Sequence, residues 1–167
     1  SGVAGLLERA PLLGQSELPI QVELVAYTLE EPPFFRSEAM GSAVHAASLK
    51  KQGLTVRAMF SLEMIGYFSD EPGSQKFPNP ILKLFYPSRG NFIAVVGNFG
   101  QISLVRKVKR AMRSTTLLPV HSITAPGWLP GIDFSDHLNY WQQGYPAVMI
   151  TDTSFYRNEH YHTAEDT

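Results

Sequence analysis

Ile20-Gln21-Val22-Glu23-Leu24-Val25-Ala26-Tyr27-Thr28-Leu29 is the stretch on which the fold reading turns. It starts by alternating apolar and polar residues and becomes almost continuously apolar, the pattern of a strand covered on both faces. A strand buried on both sides implies helices above and below it, and the rest of the chain supplies them. Downstream, the pattern predicts a helix over 38–52 closed by Gly53, then strands over 54–62 and 91–96. A helix over 101–112 follows, with Ile102, Val105, Val108 and Met112 on one side. A short strand over 118–123, a helix over 135–143 and a last strand over 147–151 complete the series. Upstream, Val3, Leu6, Leu7, Ala10 and Leu13 recur at helical spacing. Strands alternating with helices predict an α/β fold, a three-layer α/β/α sandwich on a mostly parallel mixed sheet.

Two segments interrupt this rhythm. Residues 69–89 hold Asp70-Glu71-Pro72-Gly73-Ser74, Pro78-Asn79-Pro80 and Pro87-Ser88-Arg89-Gly90, a turn-rich excursion expected to wall the site. Residues 125–131 set Trp128 between Pro and Gly, which suits either a pocket rim or a plug at the end of the core.

The 167 residues are 44% hydrophobic and 17% charged, enough for one domain over 1–167 with a real core. A formal charge of −1 argues against nucleic acid or an anionic membrane surface as the main partner. Lys107, Lys109, Arg110 and Arg113 read as the solvated face of one helix. Cysteine is absent, so any zinc must rest on histidine and carboxylates. No apolar run reaches membrane length. The chain opens already in a helix and stops in Glu165-Asp166-Thr167, where a helix start is expected, so it reads as a piece cut at both ends.

In sheets of this kind, sites form beyond the carboxyl ends of strands. Glu30 and Glu31 end the strand that begins at Ile20, and Glu63 ends the strand over 54–62. Asp152 ends the last strand, and His160, Tyr161 and His162 lie on the loop after it. Paired glutamates and a histidine beside a tyrosine are what a zinc-assisted hydrolase needs. One carboxylate and the histidine hold the metal, another carboxylate moves a proton, and the hydroxyl steadies an oxyanion. Bland readings compete with each piece. Glu30-Glu31 before Pro32-Pro33 reads equally as a solvated strand exit, and His160 as a surface residue. His45 and His121 read as packed or half-exposed histidines, and Asp136-His137 after Ser135 as a capped first helical turn. Glu63 between Leu62 and Met64 is odder, because a buried carboxylate without a partner is costly.

At these residues the chain resembles the zinc aminopeptidase family of co-catalytic dizinc exopeptidases, which includes glutamate carboxypeptidase, glutaminyl cyclase and the transferrin receptor ectodomain. The pieces that carry the resemblance are Ser1-Gly2 heading a helix, Thr28-Leu29-Glu30-Glu31, and Ser61-Leu62-Glu63-Met64-Ile65-Gly66. Ser135-Asp136-His137 follows, and then the run from Tyr145 through Asp152-Thr153 to Arg157-Asn158 and Tyr161-His162-Thr163. The resemblance implies a zinc exopeptidase fold of the phosphorylase/hydrolase type, incomplete at its N-terminus. Glu30 would be general base, and Glu31 with His162 would ligate one zinc. Glu63 would ligate the other, where the family more often has aspartate, and Tyr161 would donate to the oxyanion. Asp136, His137, Asp152, Arg157 and Asn158 would shape the substrate pocket.

One departure matters. The family's first histidine ligand and its bridging aspartate lie upstream of the residues matched by Ser1-Gly2, so neither is in this chain. Two zincs are expected in the intact protein, and a half-built or empty site here. The implied substrate is a peptide with a free N-terminus, and the resemblance favours an exported protein. Phe34, Phe35, Trp128, Phe155 and Tyr156 hint at an apolar pocket, though such aromatics are as often packing. A cyclase-like acyltransferase working with one zinc, and a binding module that kept the fold and lost the chemistry, remain alternatives.

Overall fold

The computed structural model describes residues 1–165, and of the run Glu165-Asp166-Thr167, where a helix start is expected, Asp166 and Thr167 lie outside the described residues. In chain order the elements are α1 (Gly2–Gly14), α2 (Gly41–Lys51), β1 (Met59–Glu63), β2 (Ile93–Gly97), α3 (Ile102–Thr115), β3 (Val120–Thr124), α4 (His137–Gln142) and β4 (Ala147–Thr151). The strands form one sheet in the order β1-β4-β2-β3. β1 runs parallel to β4 and β2 parallel to β3, while β4 and β2 pair antiparallel. The sheet is therefore mixed, with two parallel pairs joined back to back.

Side chains alternate across the pleat, so the register assigns each residue a face. One face carries Leu62, Ile93, Val95, Val120, Val148 and Ile150. It packs under α3, whose Val105, Leu104, Val108 and Met112 turn inward while Arg106, Lys107, Arg110 and Arg113 stay in solvent. The approach is close: a Cβ on Gly97 would come within 2.8 Å of Val105 Cγ2. α1 lies on the same face over Leu62, with Gly5 against Ile65 and Leu62. The opposite face carries Met59, Ser61, Glu63, Ala94, Val96, His121, Ile123, Ala147, Met149 and Thr151. α2 and α4 cover its β1–β4 end through Ala46, Leu49, Tyr140 and Tyr145. Helices on both faces make the three layers.

Residues 20–29 are not a strand. The segment forms no ladder with any described strand, and the sheet is β1-β4-β2-β3 without it. Its side chains are correspondingly open, with Ile20, Val22 and Leu24 each more than 40% exposed. What fixes the segment is its far end. Tyr27 Oη lies 2.6 Å from Tyr140 Oη and 2.9 Å from His45 Nδ1, and His45 Nδ1 lies 2.8 Å from Tyr140 Oη. This triangle bolts the segment to α2 and α4, and Gly41 N–H donates to Thr28 O at 2.9 Å. His45, read as a packed residue, is thus a tie between three elements.

Candidate functional site

The tie at Tyr27 and Thr28 delivers the chain to Leu29, which adopts a left-handed backbone at φ 59°, and then to Glu30 and Glu31. The same conformation recurs at Met64 after Glu63, at Thr153 and Ser154 after β4, and at His162. A non-glycine residue in that region costs on the order of 1–2 kcal/mol. Five such residues beside the candidate side chains are strain held in place by the surrounding fold, the usual mark of a functional site.

Glu30, Glu31, Glu63, Tyr161 and His162 all line one cavity of about 560 Å³. Glu31 Oε1 and His162 Nε2 are 3.3 Å apart, and the rings of Tyr161 and His162 stack with centroids 3.9 Å apart. Glu63 Oε2 accepts a hydrogen bond from Ser135 Oγ at 2.9 Å, and Ser61 Oγ lies 2.7 Å from Ser135 Oγ. Burial pushes the Glu30 carboxyl up to about 8, and the charges of Glu63, Glu31 and Asp136 push in the same direction. Burial also raises Glu63, against the hydrogen bond from Ser135. Carboxylates crowded into one low-dielectric space call for a cation.

A histidine nitrogen beside a carboxylate oxygen is a donor pair of the kind zinc takes. Glu31 and His162 supply that pair, and Glu63 faces the same cavity. Among the described residues, however, no three of His, Asp and Glu come together as a ligand set. The fit is thus partial, and two donors fall short of a closed tetrahedral site.

Beyond the carboxylates the cavity is apolar. Its floor is the sheet face of Phe92, Ala94, Val96, His121, Ile123 and Met149. The turn-rich segment walls it as expected, through Phe77, Leu82 and Tyr86, and Tyr86 Oη donates to Ser122 O at 2.7 Å. The loop after β4 contributes Phe155 and Tyr156, and Phe35 comes from the segment after Glu31. Phe34 is not among the lining residues. Trp128 is 80% exposed and does not line the cavity either, so it is neither rim nor core plug.

Five residues expected to shape the substrate pocket do not line the cavity. Asp152 is fully buried and turns away from it: Oδ2 accepts from Gly66 N–H at 3.0 Å and Tyr67 N–H at 2.8 Å, and Oδ1 from Ser154 N–H at 2.9 Å. Arg157, also buried, donates to Gln75 Oε1 at 2.7 Å, to Phe92 O at 2.8 Å and to Tyr67 O at 3.2 Å. A Cβ on Gly90 would sit 2.8 Å from Arg157 Cδ, so the glycine lets the guanidinium arm pass. Asn158 is buried and accepts from His160 N–H at 2.9 Å, shaping the turn that presents Tyr161 and His162. His137 is fully buried behind the cavity wall, with Nε2 2.8 Å from Ile132 O and its ring edge-on to Trp141. Asp136 occupies the N-cap position of α4, but its side chain makes no capping hydrogen bond. It stands behind the carboxylates, half-buried, and its charge raises both Glu30 and Glu63. All five hold the site up from outside the cavity.

His121, read as a packed or half-exposed residue, is half-exposed and lines the floor. Its place follows from the pairing of β3 with β2, which local pattern does not contain.

A family profile described as Peptidase family M28 matches residues 1–167. The chain is 59% identical over 167 residues to the uncharacterized protein YfbL of Escherichia coli (strain K12), matching all of this chain and 51% of that protein. It therefore spans about half the length of the curated relative it matches. The fold is shared with the LapA aminopeptidase of Legionella pneumophila. One LapA structure gives a TM-score of 0.68 at 19% identity, over 99% of this chain and 40% of that one. Another gives 0.53 at 20% identity, over 76% and 29%.

Proposed function

We propose that this chain, which belongs to peptidase family M28, carries the larger share of a site that hydrolyses the N-terminal residue from peptides. The observation that carries this reading is the convergence of Glu30, Glu31, Glu63, Tyr161 and His162, from three separated stretches of chain, on one apolar cavity. Carboxylate charge attracts the ammonium of a free N-terminus, and the floor beyond it takes an apolar side chain. Glu30 has a carboxyl raised toward neutrality, which suits a group that accepts a proton from the attacking water and returns it to the leaving amine. The Tyr161 hydroxyl donates to the oxygen that gains charge as the carbonyl is attacked. Glu31, His162 and Glu63 are the residues that would hold zinc, which when bound supplies Lewis-acid polarisation and a more acidic water. The remaining donors would come from sequence that this chain does not contain.

The test joins the chain to the remainder of a relative's length. Zinc per chain is measured by elemental analysis after dialysis, and hydrolysis is followed with aminoacyl anilides. Two zincs and turnover are expected, with Glu30→Gln keeping the metal and losing on the order of 10²–10⁴ in kcat. One zinc without peptide hydrolysis would point to acyl transfer, and no zinc and no turnover would sink the proposal.

A further inference from the structure

The register sets four residues in one row across the sheet. Glu63 pairs with Thr151, Thr151 with Ala94, and Ala94 with His121. All four point to the cavity face, and all four line the cavity. Strands lie about 4.8 Å apart, so the row runs about 14 Å from the carboxylate end to His121. Its middle is low: Ala94 contributes a single methyl group, which leaves room above it. The far end is aromatic. The His121 ring stands edge-on to Phe92 with centroids 4.8 Å apart, and 5.9 Å from the ring of Tyr86, which the loop pins to β3.

His121 is the polar group at that far end. Among the described residues neither ring nitrogen has a hydrogen-bond partner, and the ring is half-buried. Burial, with Lys109 and Arg113 nearby, lowers its proton affinity below that of an ordinary histidine. It is therefore a neutral imidazole, offering one N–H and one lone pair. Such a group disfavours nothing neutral, holds no charge to attract a carboxylate, and rewards a hydroxyl that reaches it.

We propose that His121 reads the tip of the substrate's N-terminal side chain, and that the side chain it selects is tyrosine. This rests on the peptidase reading of the same site. An aromatic ring lying over Ala94 meets the edges and faces of Phe92 and Tyr86, and its phenol hydroxyl comes to the imidazole. Shorter aliphatic side chains fill the near part of the floor and stop before His121. Phenylalanine fills the same space without the hydrogen bond.

The experiment measures tyrosinamide and phenylalaninamide binding by calorimetry, and hydrolysis of the matching anilides, in wild type, His121→Leu and His121→Asn. Wild type should favour tyrosine about tenfold in both readouts, the value of one well-made neutral hydrogen bond. His121→Leu should bring the tyrosine-to-phenylalanine ratio to about one by weakening tyrosine alone, and His121→Asn, which keeps a neutral donor and acceptor, should restore part of it. A merely structural role would lower both substrates together and leave the ratio intact. Hydrolysis of leucine and phenylalanine substrates with no tyrosine preference overturns the assignment of His121 and leaves the peptidase reading standing. Selective tyrosinamide binding without hydrolysis of any anilide does the reverse. An unchanged ratio in His121→Leu, or wild type that binds neither amide, also overturns the inference.

Discussion

The two faces of the sheet are built from the same five-residue strands, yet they are held in opposite ways. Under α3 the contacts are entirely apolar: Ile93, Val95, Val105, Val120 and Val148 close on one another. Among the described residues, no buried polar side chain lies on α3 or on the strand positions that face it. On the cavity side the buried polar groups gather, among them Ser61, Ser135, His137 and Thr151. The reason is mechanical. Apolar packing is non-directional and draws surfaces together until no space remains. A wall that must stand off the sheet needs directional bonds to named atoms, and each such group must be satisfied because burying it otherwise is costly.

The largest expected effect sharpens this contrast through pH. Burial lowers the His137 imidazole from 6.5 to about 4, so the fold favours the neutral ring. Above pH 6.5 both folded and unfolded chains carry it neutral, and its contribution is complete. As pH falls from 6.5 toward 4 only the unfolded chain gains the proton, and stability is lost, on the order of 3 kcal/mol over that interval. His137→Gln keeps a donor for Ile132 O and cannot titrate. Urea unfolding at pH 7.5 and 4.5 should show the variant gaining on wild type by about that amount, and parallel behaviour would mean that the polar wall does not bear on stability.

A second substitution addresses the covered face. Val95 is fully buried beneath α3, so Val95→Ala removes packed methyl groups and leaves a void, with a cost of about 2 kcal/mol in denaturant melts. Substrate selectivity in the surviving folded fraction should not change. The smallest effect on stability is expected on the open face. Ala94 packs with Phe92 and Met149 but also borders the cavity, into which the longer side chain of Ala94→Leu can extend, so stability should move by less than about 1 kcal/mol. Turnover of tyrosine and phenylalanine anilides should fall about tenfold while an alanine anilide is spared. A large stability loss in Ala94→Leu would show that the cavity is closed in solution and would break the comparison.

The same contrast explains what could be read from the sequence. The strand at Ala147–Thr151 and, apart from the exposed Ile102, the inward stripe of α3 were legible because each is decided locally, by a run of apolar residues and its period. Residues 20–29 have the pattern of a covered strand but no described strand beside them, and a ladder is a property of two segments. Glu30, Glu31, Glu63, Tyr161 and His162 are picked out by strand ends and motif order, and the fold brings all five to one cavity. Position at a strand end does not tell which way a side chain turns. Asp152 faces back to the amides of Gly66 and Tyr67, and Arg157 inward to Gln75, so neither lines the cavity. His121 needed the register of β3 against β2, which is written in no single stretch.

Arg157 also bears on how such a scaffold changes over time. The guanidinium grips Gln75 at the near end of the excursion and Phe92 O just past its far end, while Gln75 N–H donates to Ser88 O and Gly90 N–H to Ser74 Oγ. The excursion is therefore clamped at its root, like a tool bit in a chuck. Residues between the clamps form the pocket wall, and Tyr86 ties that wall to β3 through Ser122 O. Lineages can lengthen, shorten or rewrite that bit and so change what the pocket admits, with the machine that holds it left as it was.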